Sequence, residues 1–288
     1  MHVIRLTALA RRRVSFVAHP VELIDIHRSF GSTHALAGID FHAEAGRITA
    51  VLGPNGAGKT TMLEICEGLQ RADSGSVKVL GLNPLTDAAK LRPRVGVMIQ
   101  DGGLPLAARS GELLRHVARM YANPADVDAL SEELQLTPFA TTQVRHLSGG
   151  MRQRLAMGVA LVGQPEVVFL DEPSSGLDPA ARREVWKIIN RVKERGTTVI
   201  LTSHLMDEVE YLADYVYILN AGTVIAQGSV SHLTSLDSTD IPTSVKLTGR
   251  LSADDFHELN QWAARRGLQL SPRSLEDVFL DLTGRTLQ

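Results

Sequence analysis

The 288-residue chain has a single cysteine, Cys66, which excludes an internal disulfide and any cysteine-rich zinc site. A reducing compartment is the natural setting for such a chain. It has no run near the roughly 18 consecutive apolar residues that a spanning helix requires, so work at a membrane calls for another chain to cross it. It also lacks an excess of either charge. A net charge of −2 and a pI near 6.6 supply no whole-chain attraction to nucleic acid, and no nucleic-acid partner is expected. Internal repeats and low-complexity tracts are absent. With 44% hydrophobic and 22% charged residues, the composition is that of a globular chain long enough to bury a core, neither disordered nor collagen-like.

The first twenty residues differ from the rest. They carry Arg5, Arg11, Arg12 and Arg13 and no acid. The arginine cluster follows the weakly apolar stretch Val3–Ala10, the reverse of the order in a signal peptide. A solvated tail and an arginine-anchored contact with lipid headgroups are the two readings of this segment.

From Val21 the pattern becomes α/β. Val21–Ile26 alternates as a half-buried strand does, and Ile48–Leu52, Val167–Leu170 and Val199–Thr202 are short apolar runs of the buried kind. Thr60–Gln70 reads as a helix. So does Ala180–Glu194, with Val185, Ile188, Ile189 and Val192 on one face. This rhythm predicts a mostly parallel sheet covered by helices. Leu104–Arg145 reads as a helical insertion. Residues 235–243 read as a turn-rich linker. Beyond it lie a strand-like piece (Val245, Leu247), a helix-like piece around Phe256–Arg266, and a last helix with Leu275, Val278, Phe279 and Leu282 at helical spacing.

Gly53-Pro54-Asn55-Gly56-Ala57-Gly58-Lys59-Thr60 matches G-x-x-x-x-G-K-[ST], with an apolar run before it and a helix pattern after it. Glycines let successive N–H groups turn inward on phosphate oxygens, and a helix N-terminus adds its dipole. Lys59 is placed to neutralise β- and γ-phosphate charge, and the Thr60 hydroxyl to ligate Mg²⁺. This predicts binding of a nucleoside triphosphate. The run Val167–Leu170 ends in Asp171 and Glu172, and a buried parallel strand delivers its C-terminal end to the ligand crevice. Asp171 is expected to hold Mg²⁺, directly or through water. Glu172, facing the other way, is the candidate to polarise an attacking water. Ser148-Gly149-Gly150, 89 residues beyond Lys59, opens a long helix and forms a second anion site. A single P-loop fold needs no second site; a head-to-tail pair of chains does.

Taken together, these segments resemble the ATPase subunit of ATP-binding cassette (ABC) transporters over about Val21–Gly228. Gly53–Thr61, including Thr61, resembles the Walker A motif, Leu147–Met151 the signature, and Val167–Glu172 Walker B. Gln100 is similar to the Q-loop glutamine, Ser175-Gly176-Leu177-Asp178 to the D-loop, and His204 to the switch histidine. Phe30 falls where the family stacks an aromatic on adenine. Met151 replaces the family's usual glutamine, and Phe30 its more usual tyrosine, which keeps the stacking face and loses a hydroxyl. The other nine histidines show no metal-ligand spacing.

The resemblance implies a P-loop α/β fold of ABC type: a RecA-like parallel core, an antiparallel β region and a helical subdomain at about 104–163. It divides the chain into a basic extension (1–20), an ATP-binding domain (21–235) and a small α+β accessory region (236–288). It implies ATP and Mg²⁺ as ligands, the metal held by Thr60, Asp171 and Gln100. Glu172, His204, Gln100 and Lys59 are the catalytic candidates, with Ser148, Gly149, Gly150 and Asp178 acting on a second, identical subunit. Ser274–Leu280 with Leu282-Thr283-Gly284, and Gln100–Leu104, resemble the drug- and daunorubicin-type exporter branch. That branch works with a separate transmembrane permease at the cytoplasmic face of the membrane. Read by apolar spacing alone, the tail is only an amphipathic helix. An import-type ATPase, a soluble cassette ATPase acting on another partner and a non-catalytic nucleotide-gated module are the rival readings. Intact Glu172 and His204 oppose the last. One copy of each motif and the 89-residue spacing oppose ribosome- and DNA-directed cassettes.

Overall fold

A computed structural model of the chain describes residues 19–98 and 103–234, together with Glu258, Leu259, Gln261 and Trp262. Strands β1 (Val21–Phe30) and β2 (Thr33–Ala43) form a hairpin, and β3 (Ile48–Leu52) runs through a loop into α1 (Lys59–Glu67). β4 (Ser74–Val79), α2 (Ala88–Leu91) and β5 (Val95–Met98) follow. Next come α3 (Ser110–Ala118), α4 (Val127–Glu133) and, after two short 3-10 turns, α5 (Gly149–Leu161). The chain then alternates β6 (Val167–Asp171), α6 (Pro179–Glu194), β7 (Thr198–Ser203) and α7 (Met206–Leu212), followed by β8 (Tyr215–Asn220), β9 (Thr223–Gly228) and α8 (Val230–Thr234).

Among the described residues the strands make two sheets. One is antiparallel, ordered β2-β1-β4; the other is ordered β5-β6-β7-β3-β8-β9. The second is parallel from β5 to β8, with β9 antiparallel at its edge. Both its faces are covered, which is why β3, β6 and β7 are buried at every position and mostly apolar rather than alternating. Ile48, Leu52, Leu170 and Leu201 pack into a core shared with α3, α5, α6 and α7. Val51, Phe169, Ile200 and Tyr217 point the other way, into a core shared with α1 and the antiparallel sheet.

The expected parallel sheet, antiparallel region and helical insertion are all present, and Ile48–Leu52 has the expected limits. Other boundaries differ for local reasons. β1 runs to Phe30 because the strand continues through register shifts between Leu23 and His27, with Asp25 at φ 51°, and these break the alternation. α1 stops at Glu67, short of Gln70, because Gly68 turns left-handed (φ 74°) and its N–H returns to the carbonyls of Glu64 and Ile65. α6 starts one residue early: Pro179 takes the first helical position behind an Asp178 cap. Residues 1–18, the strand-like piece at Val245 and the last helix at Leu275 lie outside the described residues. Of the piece around Phe256–Arg266, the four described residues are helical. No helix among the described residues is long and apolar enough to cross a membrane.

Phe169 is fully buried, on the sheet face toward α1 and the antiparallel sheet. Phe169→Ala should lower stability by about 3–5 kcal/mol, read as a reduced midpoint in chemical denaturation of the full chain.

Candidate active site

The parallel strands bring their C-terminal ends to one edge, where Leu52 pairs with Ser203 and Asp171 with Thr202. The loop from Gly53 to Gly58 leaves β3 here and enters α1. Gly58 is the residue before the helix, at φ 103°, and a Cβ there would sit 2.4 Å from the Ala35 carbonyl oxygen of β2. Only glycine meets both demands. The opposite side of the loop is tied to the β8–β9 turn, since the Gly222 N–H donates to the Ala57 carbonyl.

Lys59 is buried, 5% exposed. Its Nζ donates to the carbonyls of Gly53 (2.8 Å) and Pro54 (3.3 Å) and lies 3.6 Å from Glu172 Oε1. Burial pushes the Lys59 ammonium below its usual value, opposed by the charges of Glu172 and Asp171. Thr60 Oγ1 donates to Asp171 Oδ2 at 3.0 Å. Thr202 Oγ1 donates to the other Asp171 oxygen and accepts from the Glu172 N–H at 3.0 Å. Glu172 is 6% exposed and holds a left-handed backbone (φ 48°), a strained state for a side-chain-bearing residue. His204 Nδ1 lies 3.2 Å from Glu172 Oε2. Lys59, Thr60, Asp171, Glu172 and His204 thus lie together in one connected cluster around the loop.

The remaining predicted residues form local contacts elsewhere. Ser148 caps α5, its Oγ accepting from the Met151 N–H at 3.3 Å, and Gly149 and Gly150 form the first turn. Asp178 caps α6, accepting from the N–H groups of Ala180 and Ala181 at 2.9 and 3.0 Å. Phe30 is 45% exposed at the end of β1, with the Arg28 guanidinium 4.5 Å from its ring centroid. Arg28 is itself held by Asp73 (2.8 Å) and Gln70 (3.2 Å). Gln100 lies outside the described residues. Thr202 and Arg28 were not singled out in the sequence; each looks ordinary until its spatial partner is known.

The cluster is chemically complete for an anionic ligand. It offers a buried cation, a helix N-terminus, two hard oxygen donors within hydrogen-bond distance of each other, and a carboxylate beside an imidazole. Among the described residues no group of three or more His, Cys, Asp or Glu gathers as a metal site.

A family model described as ABC transporter matches residues 36–175. A daunorubicin resistance ATP-binding protein of Streptomyces coeruleorubidus is 38% identical, over 78% of this chain and 73% of its own. A Nod factor export ATP-binding protein I of Burkholderia lata is 34% identical over 93% of this chain and 98% of its own. Among solved structures, the ATP binding subunit of an ABC transporter superposes with TM-score 0.71 at 23% identity, over 91% of this chain and 99% of that one. The cassette MJ0796, solved as a dimer, gives 0.66 at 23% identity, over 73% of this chain and 98% of that one.

One acid near the cluster sets a pH dependence. Glu67, at the end of α1, lines a cavity of about 500 Å³ with Leu69, Arg92 and Met120. Burial, reinforced by the charges of Asp171 and Glu64, raises its pKa from 4.5 to about 8. Between those values the folded chain keeps a proton that the unfolded chain releases. This group therefore removes stability as pH rises through that window, and removes none below it. Glu67→Gln should match wild type near pH 4 and become progressively the more stable of the two up to pH 8, measured by denaturant titration across pH.

Proposed function

This chain belongs to the ABC transporter ATPase family, and we propose that it is the ATP-hydrolysing subunit of an exporter whose membrane-spanning permease is a separate chain. The observation that carries the reading is the single cluster of Lys59, Thr60, Asp171, Glu172 and His204 at the loop that opens α1. The export direction is supported by two relatives whose names describe drug resistance and Nod factor export. A drug, lipid or polysaccharide is the substrate class in view. The ATP-binding unit spans 21–235, and the chain meets the cytoplasmic face of the membrane through the permease.

In this reading backbone N–H groups of the Gly53–Gly58 loop, among which Pro54 offers none, and the Lys59 ammonium hold the β- and γ-phosphates, with Pro54, Asn55, Gly56 and Ala57 shaping the cradle and Thr61 continuing α1. Lys59 would exchange its bonds to the Gly53 and Pro54 carbonyls for phosphate oxygens. Thr60 Oγ1 and the Asp171 carboxylate fit Mg²⁺, being hard oxygens 3.0 Å apart, and Gln100 is the expected further ligand. Bound there, the metal supplies charge neutralisation to the phosphates. Glu172 accepts a proton from, and aims, the water that attacks the γ-phosphorus in line. His204 holds charge that develops on the phosphoryl oxygens. Phe30, backed on one face by Arg28, offers its ring to adenine.

Ser148, Gly149, Gly150 and Asp178 would act on the nucleotide of a second copy. Their bonds are local, and the first turn of α5 carries N–H groups that no helix can satisfy internally. Closing two chains over two nucleotides, and releasing them after hydrolysis, would drive the permease between its states.

Glu172→Gln should bind ATP normally and lose on the order of 10²-fold in turnover, followed by phosphate release; near-normal hydrolysis would remove Glu172 from this role. Mixing Ser148→Arg and Lys59→Ala chains should restore one intact composite site per dimer and part of the activity, whereas no recovery counts against the trans arrangement. Affinity purification from detergent-solubilised membranes should bring down a polytopic permease. Recovery only with ribosomal or DNA-bound partners would overturn the transport reading and leave the ATPase chemistry standing.

A further inference from the structure

Glu208, in the first half of α7, has no part in the reaction described above, yet it is 1% exposed. Its Oε1 accepts from Ser174 Oγ at 2.5 Å and from the Trp186 indole N–H at 3.1 Å; its Oε2 accepts from Ser203 Oγ at 2.6 Å. Burial pushes the Glu208 carboxyl above its usual pKa, opposed by the three donors that converge on it. Trp186 belongs to α6 and is stacked on Tyr211 of α7, with ring centroids 5.1 Å apart, so the indole arm is itself fixed.

The two serines are the informative partners. Ser174 lies two residues after Glu172, and Ser203 immediately precedes His204. Ser203 Oγ also accepts from the Leu205 N–H at 3.0 Å, which closes the turn that carries His204. A second bridge joins the same two strand ends from the adjacent residue: Thr202 binds Asp171 and the Glu172 N–H. The segment at and just beyond the end of β6, residues 171–174, is therefore fastened twice to the end of β7, through Thr202 and, by way of Glu208, through Ser203. A buried carboxylate is a poor device for stability, because well-packed apolar groups serve as well or better. What it provides is direction, since three donors from three segments must aim at one group.

We propose that Glu208 is a positioning residue for ATP hydrolysis, tying the segment after Glu172 to the residue before His204 and so fixing the two side chains against each other. The inference rests on the catalytic reading of Glu172 and His204. Ser174 also leads into Ser175–Asp178, the segment proposed to face the second subunit. Glu208 thus connects that surface to His204 through Ser174 and Ser203.

The test is steady-state ATP hydrolysis by full-length chains carrying Glu208→Ala, Glu208→Gln or Ser203→Ala, each alone and combined with His204→Ala. Glu208→Ala should lower kcat by about tenfold or more while the dissociation constant for ATP stays within about twofold. Glu208→Gln should keep most of the rate, because its amide oxygen can accept from Ser174 and Trp186 while its NH₂ donates to Ser203 Oγ. Ser203→Ala should fall between them, and it carries the test if Glu208→Ala does not fold. In the His204→Ala background the further loss from Glu208→Ala or Ser203→Ala should shrink to less than about twofold, the mark of residues acting through one another. A full multiplicative loss in that background, or a wild-type kcat in Glu208→Ala and Ser203→Ala, overturns the inference while Glu172→Gln and His204→Ala remain impaired. Wild-type rates in Glu172→Gln and His204→Ala would instead remove the catalytic reading, and this inference with it.

Discussion

β3 and β6, the strands that deliver the phosphate loop and the acidic pair, are not neighbours. β7 stands between them, and everything at the site depends on how its C-terminal end fills that gap. Thr202 Oγ1 does so by working in both directions, as donor to Asp171 and acceptor from the Glu172 N–H. Asp171 then reaches Thr60 on the far side. One hydroxyl on the middle strand thus links the outer two, and both oxygens of a buried carboxylate are satisfied. A valine at Thr202 would match the shape of the side chain and leave Asp171 and the Glu172 N–H each short of a partner.

The same edge concentrates charge that the core would otherwise exclude. Lys59, Asp171, Glu172 and Glu208 are all buried. Each ionisable group taken out of water has a solvation cost that only well-directed partners offset, and at Glu208 burial pushes the carboxyl pKa up. Lys59 spans two carbonyls of its own loop, and burial still pulls its ammonium below the usual value. Glu172 adds backbone strain to burial. These are features of a site organised around a ligand's charge rather than around stability. The cost is borne by a sheet whose two faces are packed with aliphatic and aromatic side chains.

How much of this was legible in the sequence follows from how local each cause is. The phosphate loop was legible because its glycines, lysine and threonine act through torsions and a helix start within eight residues. β3, β6 and β7 were legible because burial on both faces writes itself as a short, mainly apolar run without alternation. β1 was under-read beyond Ile26 because an irregular register destroys the alternation by which a strand is recognised. Thr202 and Glu208 were illegible for a different reason. A threonine at a strand end and a glutamate in a helix's first turn are commonplace choices; only the pairing of β6 with β7 and the packing of α6 on α7 give them partners.

The residues assigned to a second subunit obey the same logic. Ser148 and Asp178 each use their side-chain oxygen as a helix cap, so the helices start without help from elsewhere in the chain. The two starts are adjacent: a Cβ on Gly150 would lie 3.6 Å from Ala181 and 3.8 Å from Leu177. Gly149 and Gly150 carry no side chain at this point, where two helix termini converge. Leu177 is buried beneath it, and the same segment begins at Ser174, whose hydroxyl is held by Glu208. Ser174 is therefore joined by hydrogen bonds through Glu208 to Ser203, whose next residue along the chain is His204.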